Sequence, residues 1–228
     1  MKIFNSEFFK FYNLIREGKN FAFSKFADGE WNALLGNDVN NGEFESSKYH
    51  IKQRALLLKA LRFQNPNYYV GISCSCCQGS DHEKMKFSSG QKENNLTFAN
   101  LWVNSNYELT KNLLFDLIGT KKVVLFANEK STIHTLPFHI EKWFKISNNA
   151  WVKDLSILET FPIYEYKDFL FLFAAGPFGN ICIHKFWCSN EHNTYLDIGS
   201  ALNPFLNSAG FERGYFKGQN AAKFCIWN

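Results

Sequence analysis

Residues 169–180 read FLFLFAAGPFGN, an uninterrupted apolar run that ends in a Gly-Pro turn. An apolar run without polar alternation is typical of a strand covered on both faces, as in a parallel sheet between two layers of helices. A helical pattern at about residues 181–188 comes after the turn. This strand-turn-helix unit favours the α/β class over an antiparallel sandwich or a helical bundle.

Similar units occur along the rest of the chain. The patterns predict strands at 21–26, 68–74, 121–127 and 194–198, and helices at 6–17, 32–35, 47–64, 96–103, 107–118 and 131–144. Strands that alternate with helices at this spacing predict a doubly wound, mostly parallel, Rossmann-like sheet flanked by helices. No repeat or linker interrupts the pattern, so we expect a single domain over residues 1–228.

Residues 78–95 form the longest polar stretch and are rich in Ser, Gly, Lys and Glu. A structureless loop of this length is usually functional or disordered. This stretch is therefore a candidate lid, although the sequence does not tell whether it is mobile.

Composition excludes several classes of protein. The 46% hydrophobic content excludes disorder, and a net charge of +4 with scattered Lys and Arg is too weak for a nucleic-acid-binding surface. The longest apolar run, residues 169–176, is far short of the ~20 residues that span a bilayer, and the first six residues lack a signal-peptide apolar stretch. We expect a protein without a transmembrane segment, cytoplasmic and either free or peripheral to a membrane.

The six cysteines are expected to be reduced thiols in such a compartment. Cys74, Cys76 and Cys77, with His82 nearby, are residue types that bind zinc. They lack the paired spacing of a structural zinc site, so the spacing favours small buried thiols over a metal.

In a sheet of this kind, ligands bind beyond the carboxyl ends of the strands. Asp28 and Glu30 come directly after the predicted strand 21–26. Carboxylates together with water and phosphate oxygens suit Mg²⁺ or Mn²⁺, and such an ion could bridge a diphosphate. The alternative is that Asp28 caps the short helix after it and Glu30 favours the positive end of that helix.

The turn after the apolar strand is a second candidate, formed by Gly176, Pro177, Gly179 and Asn180. Two glycines let a backbone approach a ligand closely, and the start of the next helix attracts phosphate. The alternative is an ordinary strand-to-helix turn, because the segment is neither a dinucleotide fingerprint nor a P-loop.

Asp197, Gly199 and Ser200 close the last predicted strand and form a third candidate. From the residues alone, Asp197 could contact a ribose, take a proton from an acceptor, or cap the next turn. The spacing does not separate these three roles.

Four further charged residues are candidates of a simpler kind. Glu129 and Lys130 come after the strand at 121–127 and so face the same edge, with a solvated loop as the alternative. Arg213 and Lys217 could pair with a diphosphate, with ordinary surface charge as the alternative.

Two segments of the chain resemble a known family. Residues 21–36, FAFSKFADGEWNALLG, resemble the opening of the GT-D-type glycosyltransferases, whose hallmark is an Asp-x-Glu metal motif after the first core strand. Residues 169–180 and the later TYLDIGS, residues 194–200, resemble the closing segment of that family in order and spacing. The chain has Lys25 and Ala27 where the family pattern leads us to expect Arg and Gly.

The resemblance implies a Rossmann-like enzyme that transfers a sugar from a nucleoside-diphosphate sugar, with a UDP-sugar as the first expectation. The acceptor would be a hydroxyl of a glycan, a glycoprotein or a lipid-linked saccharide, and Mn²⁺ or Mg²⁺ would bind Asp28 and Glu30. An inverting reaction needs a general base, for which the candidates are Asp197 and Glu129. The alternatives are a non-catalytic nucleotide-sugar or carbohydrate-binding module and a Rossmann-like methyltransferase, the latter disfavoured because no strand precedes a Gly-x-Gly loop.

Overall fold

The computed structural model describes residues 2–40, 44–206, 216 and 224–227. Its strands form a large sheet and a short antiparallel hairpin, and every pairing in the large sheet is parallel. In chain order the described strands are β1 (Ala22–Phe26), β2 (Val39–Asn40), β3 (Glu45–Ser46), β4 (Tyr68–Ile72), β5 (Leu96–Phe98), β6 (Lys122–Asn128), β7 (Lys142–Ile146), β8 (Phe169–Ala174) and β9 (Thr194–Asp197).

The large sheet has the strand order β5-β4-β1-β9-β8-β6-β7, and β2 with β3 forms the hairpin. The chain builds outward from β1 through β4 to β5, then crosses to the other half and returns to pair β9 with β1. The first and last strands of the sheet are therefore neighbours at its centre. This pairing brings the segments at their carboxyl ends together, although the two segments are far apart in sequence.

Helices cover both faces of this sheet. The described α-helices are α1 (Phe4–Arg16), α2 (Asp28–Leu35), α3 (Ile51–Arg62), α4 (Ser75–Gln78), α5 (Asp81–Ser89), α6 (Tyr107–Leu109), α7 (Phe115–Gly119), α8 (Ala150–Lys153), α9 (Ile157–Thr160), α10 (Gly176–Ser189) and α11 (Asn203–Leu206). A π-helical turn, Thr110–Leu114, joins α6 to α7. Within the described ranges, every helix falls short of the length and apolarity that crossing a bilayer requires.

Strand β8 shows why the central strands are apolar throughout. Phe171 and Phe173 belong to the hydrophobic core that also contains buried residues of α2, α3 and α10. Leu170 and Leu172 point to the opposite core, which contains the apolar faces of α1, α6 and α7. The predicted α/β class, with a parallel sheet between two helical layers, is confirmed.

Two predicted helices are wrong, because both segments contain edge strands. Residues 96–98 form β5, which pairs with β4, and residues 142–146 form β7, which pairs with β6. Residues 131–141, which contain Pro137, are not helical. Strand β5 is buried but has only three residues, and β7 is partly exposed with lysines at Lys142 and Lys145, so neither shows the unbroken apolar run of β8.

The candidate lid at residues 78–95 is not a structureless loop. This stretch contains α5, whose residues His82, Met85 and Ser89 are buried. The side chain of Gln91 donates hydrogen bonds to the carbonyl oxygens of Leu61 and Phe63, at 3.0 and 2.7 Å. The segment is a packed helical connection between β4 and β5 and lines no part of the cavity at the carboxyl edge of the sheet.

Candidate functional site

A cavity of about 280 Å³ opens at the carboxyl edge of the sheet. Its described lining comes from the segments after β1, β5, β6, β7, β8 and β9. This is the place where parallel α/β sheets bind ligands. Of the residues singled out from the sequence, the cavity is lined by Asp28, Glu30, Lys130, Gly176, Pro177, Asp197, Gly199 and Ser200.

Asp28 and Glu30, the acidic pair, lie on the first turn of α2 rather than in a loop. Ala27 is the N-cap residue and has no side chain that can cap, so the expectation that Asp28 caps this helix is wrong. Glu30 instead bonds to the N-cap residue of the helix, because its Oε2 accepts a hydrogen bond from the backbone N–H of Ala27 at 2.9 Å. Glu30 is 5% exposed, whereas Asp28 is exposed and its carboxylate bonds to none of the described residues.

Lys25 joins the acidic pair to the last strand. Its Nζ lies 3.8 Å from Glu30 Oε2, and its side chain is only 18% exposed. The end of the same side chain lies against Gly199, where an added Cβ would come within 2.7 Å of Lys25 Cε. Lys25 therefore crosses from β1 to the turn after β9.

Asp197 is a buried carboxylate at the end of β9, 2% exposed. Its Oδ1 accepts a hydrogen bond from the backbone N–H of Gly199 at 2.9 Å. Burial raises the pKa of Asp197 to about 7; Lys25 opposes this shift and Glu30 adds to it. The hydrogen bond to Gly199 is the turn-capping role that the sequence left open. The pKa of about 7 also suits a general base, which works best when its pKa is close to the pH of the reaction.

The glycine-rich turn divides into a part that borders the cavity and a part that does not. Helix α10 begins at Gly176, whose φ of +52° is a left-handed conformation, and Gly176 and Pro177 line the cavity. Gly179 and Asn180 are buried behind that wall. The amide of Asn180 donates to Ser24 Oγ and to the carbonyl oxygen of Lys25, which fixes α10 to β1.

Of the two candidates that come after β6, only Lys130 is among the described residues that line the cavity. Lys130 borders the cavity, and its backbone N–H donates to Asn128 Oδ1 at 2.9 Å. Glu129 is exposed and is not among the described lining residues, so the structure does not bring it to the carboxylates. Arg213 and Lys217 lie outside the described residues.

Several lining residues carry no motif in the sequence. Phe44 directly precedes β3 and packs against Gly29 and Gly176, and Trp151 on α8 contacts Phe44 with ring centroids 6.0 Å apart. Asn128 donates to Asn148 Oδ1 at 2.5 Å, across the ends of β6 and β7. Asn128 comes directly after the predicted strand 121–127, so the sequence indicates its position at the carboxyl edge. Asn148 has no such signal, because the pattern predicts a helix at 131–144, where β7 begins.

The acidic pair fits a divalent cation in its chemistry. Carboxylate oxygens are the ligands that Mg²⁺ and Mn²⁺ prefer, and two of them leave positions for water and phosphate oxygens. Asp28 is open to the cavity, and Glu30 lines the same wall. The ammonium of Lys25 is the charge that a cation at Glu30 must compete with.

Comparison with known proteins gives matches in structure but not in sequence. A solved structure described as the highly conserved domain of unknown function 1792 with a distinct glycosyltransferase fold aligns with a TM-score of 0.62 at 13% identity, over 85% of this chain and 77% of its own. Another, described as a new glycosyltransferase (DUF1792) from Streptococcus sanguinis, aligns with a TM-score of 0.61 at 15% identity, over 87% of this chain and 80% of its own. No family model matches the sequence, and neither does any curated protein.

At 13–15% identity this likeness establishes a shared fold. The chain has the glycosyltransferase fold of these structures, and the fold implied by the resemblance to the GT-D type is confirmed.

Proposed function

We propose that the protein is a glycosyltransferase that moves a sugar from a nucleoside-diphosphate sugar to an acceptor hydroxyl. The donor we propose first is a UDP-sugar, and the acceptor a glycan, a glycoprotein or a lipid-linked saccharide. One observation supports this above the others: in a chain with a glycosyltransferase fold, a cavity at the carboxyl edge holds Asp28, Glu30, Lys25 and Asp197.

Sugar transfer leaves a nucleoside diphosphate whose developing negative charge must be stabilised. A divalent cation held by Asp28 and Glu30 would act as a Lewis acid toward that charge. The chain adds the positive charges of Lys25 and Lys130, two residues that line the same cavity. Without a cation, Lys25 partly neutralises Glu30.

Asp197 is the residue we propose for the acceptor side of the reaction. It is a buried carboxyl whose pKa of about 7 lets it accept a proton near neutral pH. Its rival role, contact with the donor ribose, rests on the same position in the cavity. Glu129 is the weaker candidate base, because it is exposed and outside the described lining.

The proposal is tested by thermal shift with UDP and GDP, in Mn²⁺ and in EDTA. We expect a nucleoside diphosphate to raise the melting temperature more in Mn²⁺ than in EDTA. Asp28→Asn should lose the metal-dependent part of this shift. Glu129→Gln, which removes a nearby carboxylate outside the cavity lining, should keep it.

Other outcomes identify the rival functions. Equal shifts in Mn²⁺ and EDTA would contradict the cation site. Stabilisation by S-adenosylmethionine alone would favour a methyltransferase. Metal-dependent nucleotide-sugar binding without donor turnover against any acceptor would favour a binding module.

A further inference from the structure

Four cysteines meet at the edge of the sheet near β4 and β5, outside the cavity at the carboxyl edge. Cys74 precedes α4, Cys76 and Cys77 lie in α4, and Cys225 comes from the far end of the described chain. Their four sulfur atoms all lie within 4.8 Å of one another. None of the four forms a disulfide, and the Sγ atoms of Cys74 and Cys76 are 3.2 Å apart, well beyond the ~2.05 Å of a disulfide.

The size of this group matches a single tetrahedral ion. Four sulfurs at about 2.3 Å from zinc lie roughly 3.8 Å from one another. Four thiolates in a tetrahedral arrangement are typical of zinc and iron–sulfur centres, and a closed Cys₄ set is one of the usual structural zinc sites. Cys74 and Cys225 are each 1% exposed, so two of the four ligands are already withdrawn from solvent.

Two side-chain amides contact sulfur atoms of the group. Asn104 Nδ2 lies 3.3 Å from Cys225 Sγ, and Asn100 Nδ2 lies 3.5 Å from Cys77 Sγ. N–H groups directed at sulfur stabilise the thiolate form that a metal needs, as outer ligands do in zinc sites. His82 is not part of the group, because neither of its ring nitrogens lies among the four clustered sulfurs. Its Nδ1 lies 2.8 Å from the carbonyl oxygen of Ser73 and its Nε2 lies 3.8 Å from Glu83 Oε1.

We propose that Cys74, Cys76, Cys77 and Cys225 bind one structural Zn²⁺ ion in a closed tetrahedral site. Binding converts the coordinating thiols to thiolates and releases their protons to solvent. The sequence did not predict this site, since three ligands fall within four residues and the fourth is supplied by a segment that only the fold brings near.

The ion would hold the described end of the chain against the sheet edge. Ser75 Oγ donates to the carbonyl oxygen of Ile226 at 3.4 Å, and Trp227 packs on His82 and Phe98. Asn100 contacts both the cluster and the cavity. The site therefore fixes the loop after β5 that forms one wall of the cavity, a role that does not depend on which reaction the cavity performs.

The first test measures metal and thiols in the full-length protein, purified with a reductant and without added chelator. We expect about one zinc per chain and all six thiols to react after denaturation in EDTA. Replacement by Co²⁺ should give the sulfur-to-cobalt charge-transfer band and the intense visible bands of tetrahedral thiolate coordination. Metal-free protein that neither takes up zinc nor gives these bands would overturn the proposal, as would a disulfide among the four.

Variants then assign the ligands. Cys225→Ser and Cys76→Ser should each lose zinc, whereas Cys188→Ser, an exposed cysteine outside the cluster, should retain it. Asn104→Gly suits the positive φ of that position and should lower zinc affinity by about 10–100-fold in a chelator competition. Full zinc content with unchanged affinity in Cys225→Ser would contradict the four-cysteine site.

Discussion

Asp197 is the most deeply buried of the described carboxylates that line the cavity. It is almost fully buried, with Lys25 as the nearby positive charge and Glu30 as a nearby negative one. Its pKa of about 7 lies above the ordinary value of 3.8, because burial outweighs Lys25 and the backbone hydrogen bonds. The folded protein therefore binds this proton more tightly than the unfolded chain does.

This shift has a definite sign for stability. Protonated Asp197 stabilises the folded state. This contribution is fully present below the pKa of 3.8 that applies in the unfolded chain, and it is lost as the pH rises through about 7. The side chain of Asn cannot ionise, so Asp197→Asn should not lose folding stability in this way. In EDTA, we expect the melting temperature of Asp197→Asn relative to wild type to rise between about pH 5 and about pH 8. A difference that stays constant with pH would show that Asp197 is not buried in this way.

Kinetics separate the two catalytic-site roles of Asp197. Loss of a base lowers kcat with the donor KM nearly unchanged, whereas loss of a ribose contact mainly raises the donor KM. We expect Asp197→Asn to lower kcat and Glu129→Gln to change neither quantity, since Glu129 lies outside the described lining. Normal kcat and KM in Asp197→Asn would remove this residue from the reaction.

Gly199 is the glycine that the Lys25 contact requires. Its φ is +53°, and an added Cβ would lie 2.7 Å from Lys25 Cε. Gly199→Ala should cost about 1–2 kcal/mol from backbone strain and also displace Lys25. Gly18→Ala is the matched control, because Gly18 has a φ of +69° with nothing within 4 Å of the added Cβ. Equal effects of the two variants on activity would contradict a role for the Lys25 position.

At the scale of elements, helix α10 shows how a glycine-rich turn can serve packing. Gly179 is buried, and an added Cβ would lie 3.2 Å from Phe173 Cβ and 3.4 Å from Ala175 Cβ. Gly179→Val should therefore destabilise the fold by overpacking, by about 1–3 kcal/mol.

We expect Gly179→Val to lower the melting temperature while the folded fraction keeps its nucleotide affinity. Calorimetry of Gly179→Val beside Gly176→Ala checks this, since Gly176 borders the cavity and should show the larger loss of affinity. The opposite order would return Gly179 to the phosphate-binding role that its sequence suggested.

The elements also show what the sequence could reveal. The sequence predicts β1, β4, β6, β8 and β9, most clearly β6 and β8, whose burial on both faces leaves an apolar run. Asp28, Gly176 and Asp197 are predicted as site residues because they lie at the carboxyl ends of predicted strands. The edge strands β5 and β7 lack that signal, so Asn148 was missed. The acidic pair was predicted in a loop, but Glu30 accepts the Ala27 N–H and extends α2 back to Asp28.

At the scale of the whole molecule, strand order decides the site. Because β9 pairs with β1, the last strand places Asp197 beside the segment that holds Asp28 and Glu30. The cysteine cluster also depends on a long-range contact, in which Cys225 meets Cys74, Cys76 and Cys77. Neither association can be read from local patterns, which is why the pairing of Lys25 with Glu30 and the fourth cysteine were not predicted.

The most direct test of the central claim is donor turnover by the acidic-pair variants. Release of nucleoside diphosphate from a panel of nucleotide sugars is measured in Mn²⁺ for wild type, Asp28→Asn, Glu30→Gln and the control Glu129→Gln. We expect wild type and Glu129→Gln to turn over at least one donor, and Asp28→Asn and Glu30→Gln to be slower by about two orders of magnitude or more while remaining folded. Wild-type rates with an unchanged metal response in both acidic-pair variants would contradict the account.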